Sequence, residues 1–128
     1  MHINSKIGWM DGNWGSPNEL RIPIDDRGLN FGDGVFETIF ISDSAPKLLR
    51  SHLKRWARNA QILGMDAPPK EELVKPILKE ALQQSGLENK NASARLNWSR
   101  GSNIYRGIDI TRTSRDKLLH KFWIEVVQ

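Results

Sequence analysis

The stretch Asp25-Asp26-Arg27-Gly28-Leu29-Asn30-Phe31-Gly32-Asp33-Gly34-Val35-Phe36-Glu37-Thr38-Ile39-Phe40-Ile41 decides the fold. Its first ten residues hold three glycines and read as a loop. The remainder, from Val35 to Ile41, is β-branched and aromatic around one glutamate and reads as a strand. Phosphate-cradling loops open helices: a P-loop ends in Gly-Lys-Ser/Thr, and a dinucleotide loop joins a strand to a helix. Here the glycines lead into a strand, which favours a tight turn requiring positive φ over a phosphate cradle and leaves the cradle as the alternative.

Toward the N-terminus, Ile7-Gly8-Trp9-Met10 and Trp14 flank the turn signal Asp11-Gly12-Asn13, which predicts a hairpin. Toward the C-terminus, Ser42-Asp43-Ser44-Ala45-Pro46 turns the chain, and residues 47–49 are expected to return as a strand. From Ser51 the period changes. Leu53, Trp56, Ala57, Ala60, Leu63 and Gly64 share one face of a helix, with Ser51 as its expected N-cap. After Pro68-Pro69 a second helix is expected over residues 70–85, closed by Gly86. Its stripe is Leu73, Ile77, Ala81 and either Leu78 or Leu82, and Pro76 either kinks it or marks its start. Residues 94–99 and 122–127 read as further strands. Strands, two helices and strands again predict an α+β fold, a mainly antiparallel sheet covered on one face by two helices.

The 128 residues suit one domain, and 38% apolar with 27% charged residues indicates a folded chain. There is no cysteine, and His2, His52 and His120 lack ligand spacing, so no metal site is expected. No run approaches the ~20 apolar residues of a membrane span. The N-terminus lacks a secretory apolar run, so a cytoplasmic location is expected. The net charge of +4 comes from basic residues interleaved with acidic ones, and no nucleic-acid partner is expected. Two basic groups, at residues 47–58 and 95–115, leave a small anionic ligand open.

Arg55 lies away from the core face of the first helix, near Asn59 and Ile62. An apolar Ile62 there hints that this second face packs against something. Arg55 is either a surface arginine or a bidentate phosphate ligand. Arg100-Gly101 and Arg106-Gly107 are either exposed loop arginines or a carboxylate clamp.

Taken together, Asp26-Arg27-Gly28, Phe31-Gly32-Asp33-Gly34-Val35-Phe36-Glu37-Thr38, His52-Leu53-Lys54-Arg55 and Ser99-Arg100-Gly101 resemble the N-terminal half of fold-type IV pyridoxal-phosphate enzymes, the class IV aminotransferases. That family includes branched-chain aminotransferases, D-amino-acid aminotransferases and 4-amino-4-deoxychorismate lyases. The resemblance implies pyridoxal 5′-phosphate as cofactor, held through its phosphate by Arg55. It implies a small carboxylate substrate met by Phe36, Thr38, Arg100 and Arg106, and a homodimer. Phe36-Glu37-Thr38 in place of Phe-Glu-Gly, with the second Arg-Gly pair, is more similar to the lyase form. The cofactor-linking lysine of the family lies in a second domain. Residues 1–128 are therefore expected to be a single N-terminal domain, without that lysine and inactive alone, or an interaction module derived from the fold.

Overall fold

The computed structural model describes residues 6–102 and 119–128. Strand β1 (Lys6–Met10) turns through Asp11 (φ 50°) and Gly12 (φ 82°) into β2 (Asn13–Gly15), pairing Trp9 with Trp14. Both turn residues are left-handed, as a two-residue Asp-Gly hairpin requires. There follow a short helix α1 (Arg27–Phe31), β3 (Gly34–Ser42), β4 (Ala45–Pro46), α2 (Leu49–Ile62), α3 (Glu71–Ser85), β5 (Ala92–Ser102) and β6 (Leu119–Val127). The strands form one antiparallel sheet in the order β2-β1-β6-β5-β3-β4.

Alternation splits the sheet into two unlike faces. Glu37, Ile39 and Ile41 of β3 lie opposite Leu96, Ala94 and Ala92 of β5, which pairs Leu96 with Ile124 and Ala94 with Val126 of β6. These residues are buried with Trp56 of α2 and Val74, Ile77, Leu78, Ala81 and Leu82 of α3. This single core is the main source of stability, at roughly 1.5–3 kcal/mol for each large apolar side chain buried. Trp56 is fully buried, lies 5.9 Å from the Phe122 ring, and donates its indole N–H to the Val35 carbonyl at 3.1 Å. That bond ties α2 to β3.

The other face carries Phe36, Thr38 and Phe40 of β3, Arg95 and Asn97 of β5, and Trp123 and Glu125 of β6. Neither long helix covers it. Leu20 crosses Gly8 at its rim, so closely that a Cβ on Gly8 would come within 2.7 Å of its Cδ1. The expected α+β fold is observed, and no described helix is long and apolar enough to cross a membrane.

Four local expectations are corrected. The glycine-rich stretch is not all loop: Asp26 caps α1 by accepting from the Leu29 N–H at 3.1 Å, and Gly32 (φ 64°) ends it. The returning strand is Ala45–Pro46, not residues 47–49, because Asp43 and Ser44 turn the chain with φ of 53° and 62°. α2 starts at Leu49 behind a left-handed Leu48, so Ser51 lies inside it and does not cap it. In α3, Val74 is buried and Leu73 is exposed, while Pro76 sits within the helix and not at its start.

Candidate functional site

On the helix-covered side of β3, Glu37 is a carboxylate in an otherwise apolar surface, only 3% exposed. Arg55 on α2 reaches it with two parallel bonds, Nε to Oε2 and Nη2 to Oε1, each 2.8 Å. His52, one turn earlier, meets Oε1 through Nδ1 at 2.6 Å. A carboxylate only accepts, so Nδ1 carries the proton. Burial pushes the Glu37 carboxyl up, but the bonds from Arg55 and His52 override it and hold its pKa below the ordinary value. Its bonds to Glu37 in turn raise the pKa of Arg55. The Arg55 side chain is nevertheless 56% exposed. Glu37 engages two of its five N–H groups, and the remaining three are suited to a second anion.

On the open side, the Arg95 guanidinium lies over the Phe36 ring, 3.9 Å from its centroid. Its Nε donates to Asn97 Oδ1 at 3.0 Å, and Asn97 Nδ2 is anchored to the Trp123 carbonyl at 3.4 Å. Thr38 is the register partner of Arg95 on the same face. Phe36, Arg95, Asn97 and Trp123, with Leu29 of α1, line a cavity of about 350 Å³. A guanidinium fixed over an aromatic wall can pair with a carboxylate.

The segment between α1 and β3 closes one end of this cavity. Asp33 accepts from Arg27 Nε at 2.9 Å and from Arg100 Nε at 2.7 Å. Burial pushes the Asp33 carboxyl up, yet the two guanidiniums hold its pKa below the ordinary value. Arg100 also donates to the carbonyl of Leu63. Asp26 accepts from Ser99 Oγ at 2.8 Å. Two of the glycines serve close approach: a Cβ on Gly28 would lie 2.7 Å from Ser99 Cβ, and one on Gly34 2.9 Å from the Trp98 carbonyl. Gly32 alone of the three needs its positive φ.

Of the residues singled out from sequence, Phe36 and Thr38 share the open face, and Arg55 lies across β3 from them. Arg100 does not join them. It is 3% exposed and turned inward onto Asp33, so it braces the α1–β3 connection and offers no free fork to a substrate. Arg106 lies outside the described residues. Sequence reasoning missed Arg95, Asn97 and Glu37. Strand alternation from Leu96 assigns Arg95 and Asn97 to the polar face, and Glu37 is the one charge within the strand of residues 35–41.

Residues 34–119 match the model of the family "Amino-transferase class IV". A putative branched-chain-amino-acid aminotransferase of Methanocaldococcus jannaschii is 33% identical over 94 residues, 73% of this chain and 32% of that protein. The 4-amino-4-deoxychorismate lyase structure from Pseudomonas aeruginosa superposes with TM-score 0.66 and 25% identity, covering 91% of this chain and 38% of that one. A hypothetical aminotransferase from Mycobacterium tuberculosis, solved in a PLP-bound form, gives TM-score 0.70 at 22% identity, covering 94% and 39%. The chain thus spans about a third of the archaeal relative. On the family match over most of its length, this chain belongs to the class IV aminotransferases.

Proposed function

We infer that this chain shapes the pocket of a pyridoxal-phosphate enzyme, holding the cofactor phosphate at Arg55 and the substrate against the open face of the sheet. The observation that carries this reading is a half-exposed arginine locked by a buried carboxylate. Its unused N–H groups fit a phosphate, and pyridoxal phosphate is the cofactor of the family. When bound, that group supplies an electron sink for charge developing at the substrate α-carbon.

The chain's own residues orient the reactants. Phe36 walls the substrate, Arg95 takes a carboxylate remote from the reacting carbon, and Thr38 offers a hydroxyl beside it. Arg100 acts indirectly by fixing Asp33, while Arg106 is retained as a carboxylate ligand on the family resemblance alone. The lysine linking the cofactor is assigned to a further domain. Lys75 and Lys79 line a groove on α3 that shares no residue with the open-face cavity. Pairing of two copies would cover apolar surface around α1, where Ile24 is 88% and Leu29 56% exposed.

The proposed reaction is release of pyruvate from 4-amino-4-deoxychorismate to give 4-aminobenzoate. Thr38 on the open face and the likeness to the Pseudomonas lyase support it. Amino transfer to a 2-oxo acid is the second reading, favoured by the name of the archaeal relative. The test joins this chain to a lysine-bearing class IV domain and supplies each substrate with cofactor. Formation of 4-aminobenzoate and pyruvate supports the first reading. Turnover that requires 2-oxoglutarate and yields no 4-aminobenzoate contradicts it.

A further inference from the structure

Glu37 is buried where the sheet packs on α2, beside Ile39 and opposite Leu96. An ionised group there forgoes hydration, and an apolar residue of similar size would pack the core without that penalty. Neutralising Arg55 is no reason for its presence, because a half-exposed arginine needs no buried counter-ion. What a surface arginine does lack is a fixed orientation, since its long side chain samples many rotamers. Glu37 removes that freedom. Its two oxygens take Nε and Nη2 side-on, and His52 bonds to Oε1, so the carboxylate cannot swing away with the arginine. The guanidinium plane is thereby set, and Nη1 with the outer N–H of Nη2 forms a second fork directed away from Glu37.

We propose that Glu37 is a positioning residue for anion binding. It holds the Arg55 guanidinium so that its outer fork is preorganised for a tetrahedral phosphate group, with His52 fixing the carboxylate from behind. This rests on the reading of Arg55 as the phosphate ligand. Because binding energy is lost when a flexible group must be ordered on contact, preorganisation appears in phosphate affinity and not in affinity for a phosphate-free analogue.

The experiment titrates the 128-residue chain with pyridoxal 5′-phosphate and with pyridoxal, following the arginine Nε–Hε resonances by NMR. The variants are Glu37→Gln, Arg55→Lys, their double mutant and Arg55→Ala. Glu37→Gln is expected to weaken pyridoxal 5′-phosphate binding about tenfold, the scale seen when outer partners of metal ligands are removed, and to leave pyridoxal unchanged. Arg55→Lys keeps a charge beside the buried Glu37 but not the fork and should give a similar loss, with the retained amide spectrum showing that the chain is folded. The double mutant should lose no more than either single variant. Equal weakening of both ligands in Glu37→Gln, or full phosphate affinity in Arg55→Lys, overturns the proposal while leaving Arg55 as a ligand. An Arg55→Ala chain with undiminished preference for the phosphorylated ligand overturns the underlying reading, and the proposal with it.

Discussion

Phe36 and Glu37 are neighbours on β3 that point to opposite faces of the sheet, and each holds an arginine on its own face: Phe36 lies under Arg95, and Glu37 grips Arg55. One dipeptide thus sets two guanidiniums on the two sides of a single strand. In the functional reading, one serves a phosphate and the other a substrate carboxylate.

Arg95 and Asn97 are expected to act as a unit. Asn97→Ala frees the Arg95 Nε without removing the charge, and should weaken binding of a dicarboxylate such as 2-oxoglutarate by about 3- to 10-fold, equivalent to roughly 0.6–1.4 kcal/mol, or one ordinary hydrogen bond. Arg95→Ala should weaken it further, and a monocarboxylate such as pyruvate should be affected less by either change. Calorimetric titration of the two acids checks this.

Gly28→Ala and Gly34→Ala should each destabilise the chain by about 1–3 kcal/mol, because the added methyl meets Ser99 Cβ or the Trp98 carbonyl. Gly32→Ala meets nothing within 4 Å and should cost about 1 kcal/mol, from its φ of 64° alone. Urea unfolding of the three variants orders them.

Arg100→Ala should cost about 1–3 kcal/mol, since it removes one of the two guanidiniums on Asp33 and leaves the Leu63 carbonyl without its donor. Were Arg100 a substrate ligand on an open loop, the same change would leave the unfolding midpoint almost unmoved.

Acid should weaken the fold through Asp33 and Glu37. Both folded-state pKa values lie below the ordinary 3.8 and 4.5, so their stabilisation is complete above those values and is lost as pH falls through the lowered ones. The stability advantage of the wild type over Glu37→Gln should therefore be flat from pH 7 to about 5 and shrink below that. An advantage that persists undiminished at pH 2 contradicts the ion-pair geometry.

The fold was legible in residues 35–41 and in the amphipathic period around Trp56, where pattern and burial agree. Local propensity misled at Leu48, which takes a left-handed backbone (φ 56°) just after the bond from Lys47 N–H to the Phe40 carbonyl. It misled again at α1, where three glycines outweighed the cap offered by Asp26. Within the site, helix periodicity left Arg55 open between a surface arginine and a phosphate ligand, and only the resemblance of His52-Leu53-Lys54-Arg55 to the family singled it out. Glu37 was not singled out, because a glutamate in a strand gives no sign of which arginine it will meet. Arg100 shows the converse. Its Arg-Gly context matches a family motif, and only the fold reveals Asp33 beside it.

In the proposed function Arg55 receives the cofactor phosphate. A crystal structure of the chain with pyridoxal 5′-phosphate tests it most directly. Phosphate oxygens are expected about 2.7–2.9 Å from the outer nitrogens of Arg55, with Glu37 still holding Nε. Phosphate bound instead at the Gly28–Gly34 segment or at Arg95, with Arg55 engaged by Glu37 alone, contradicts it.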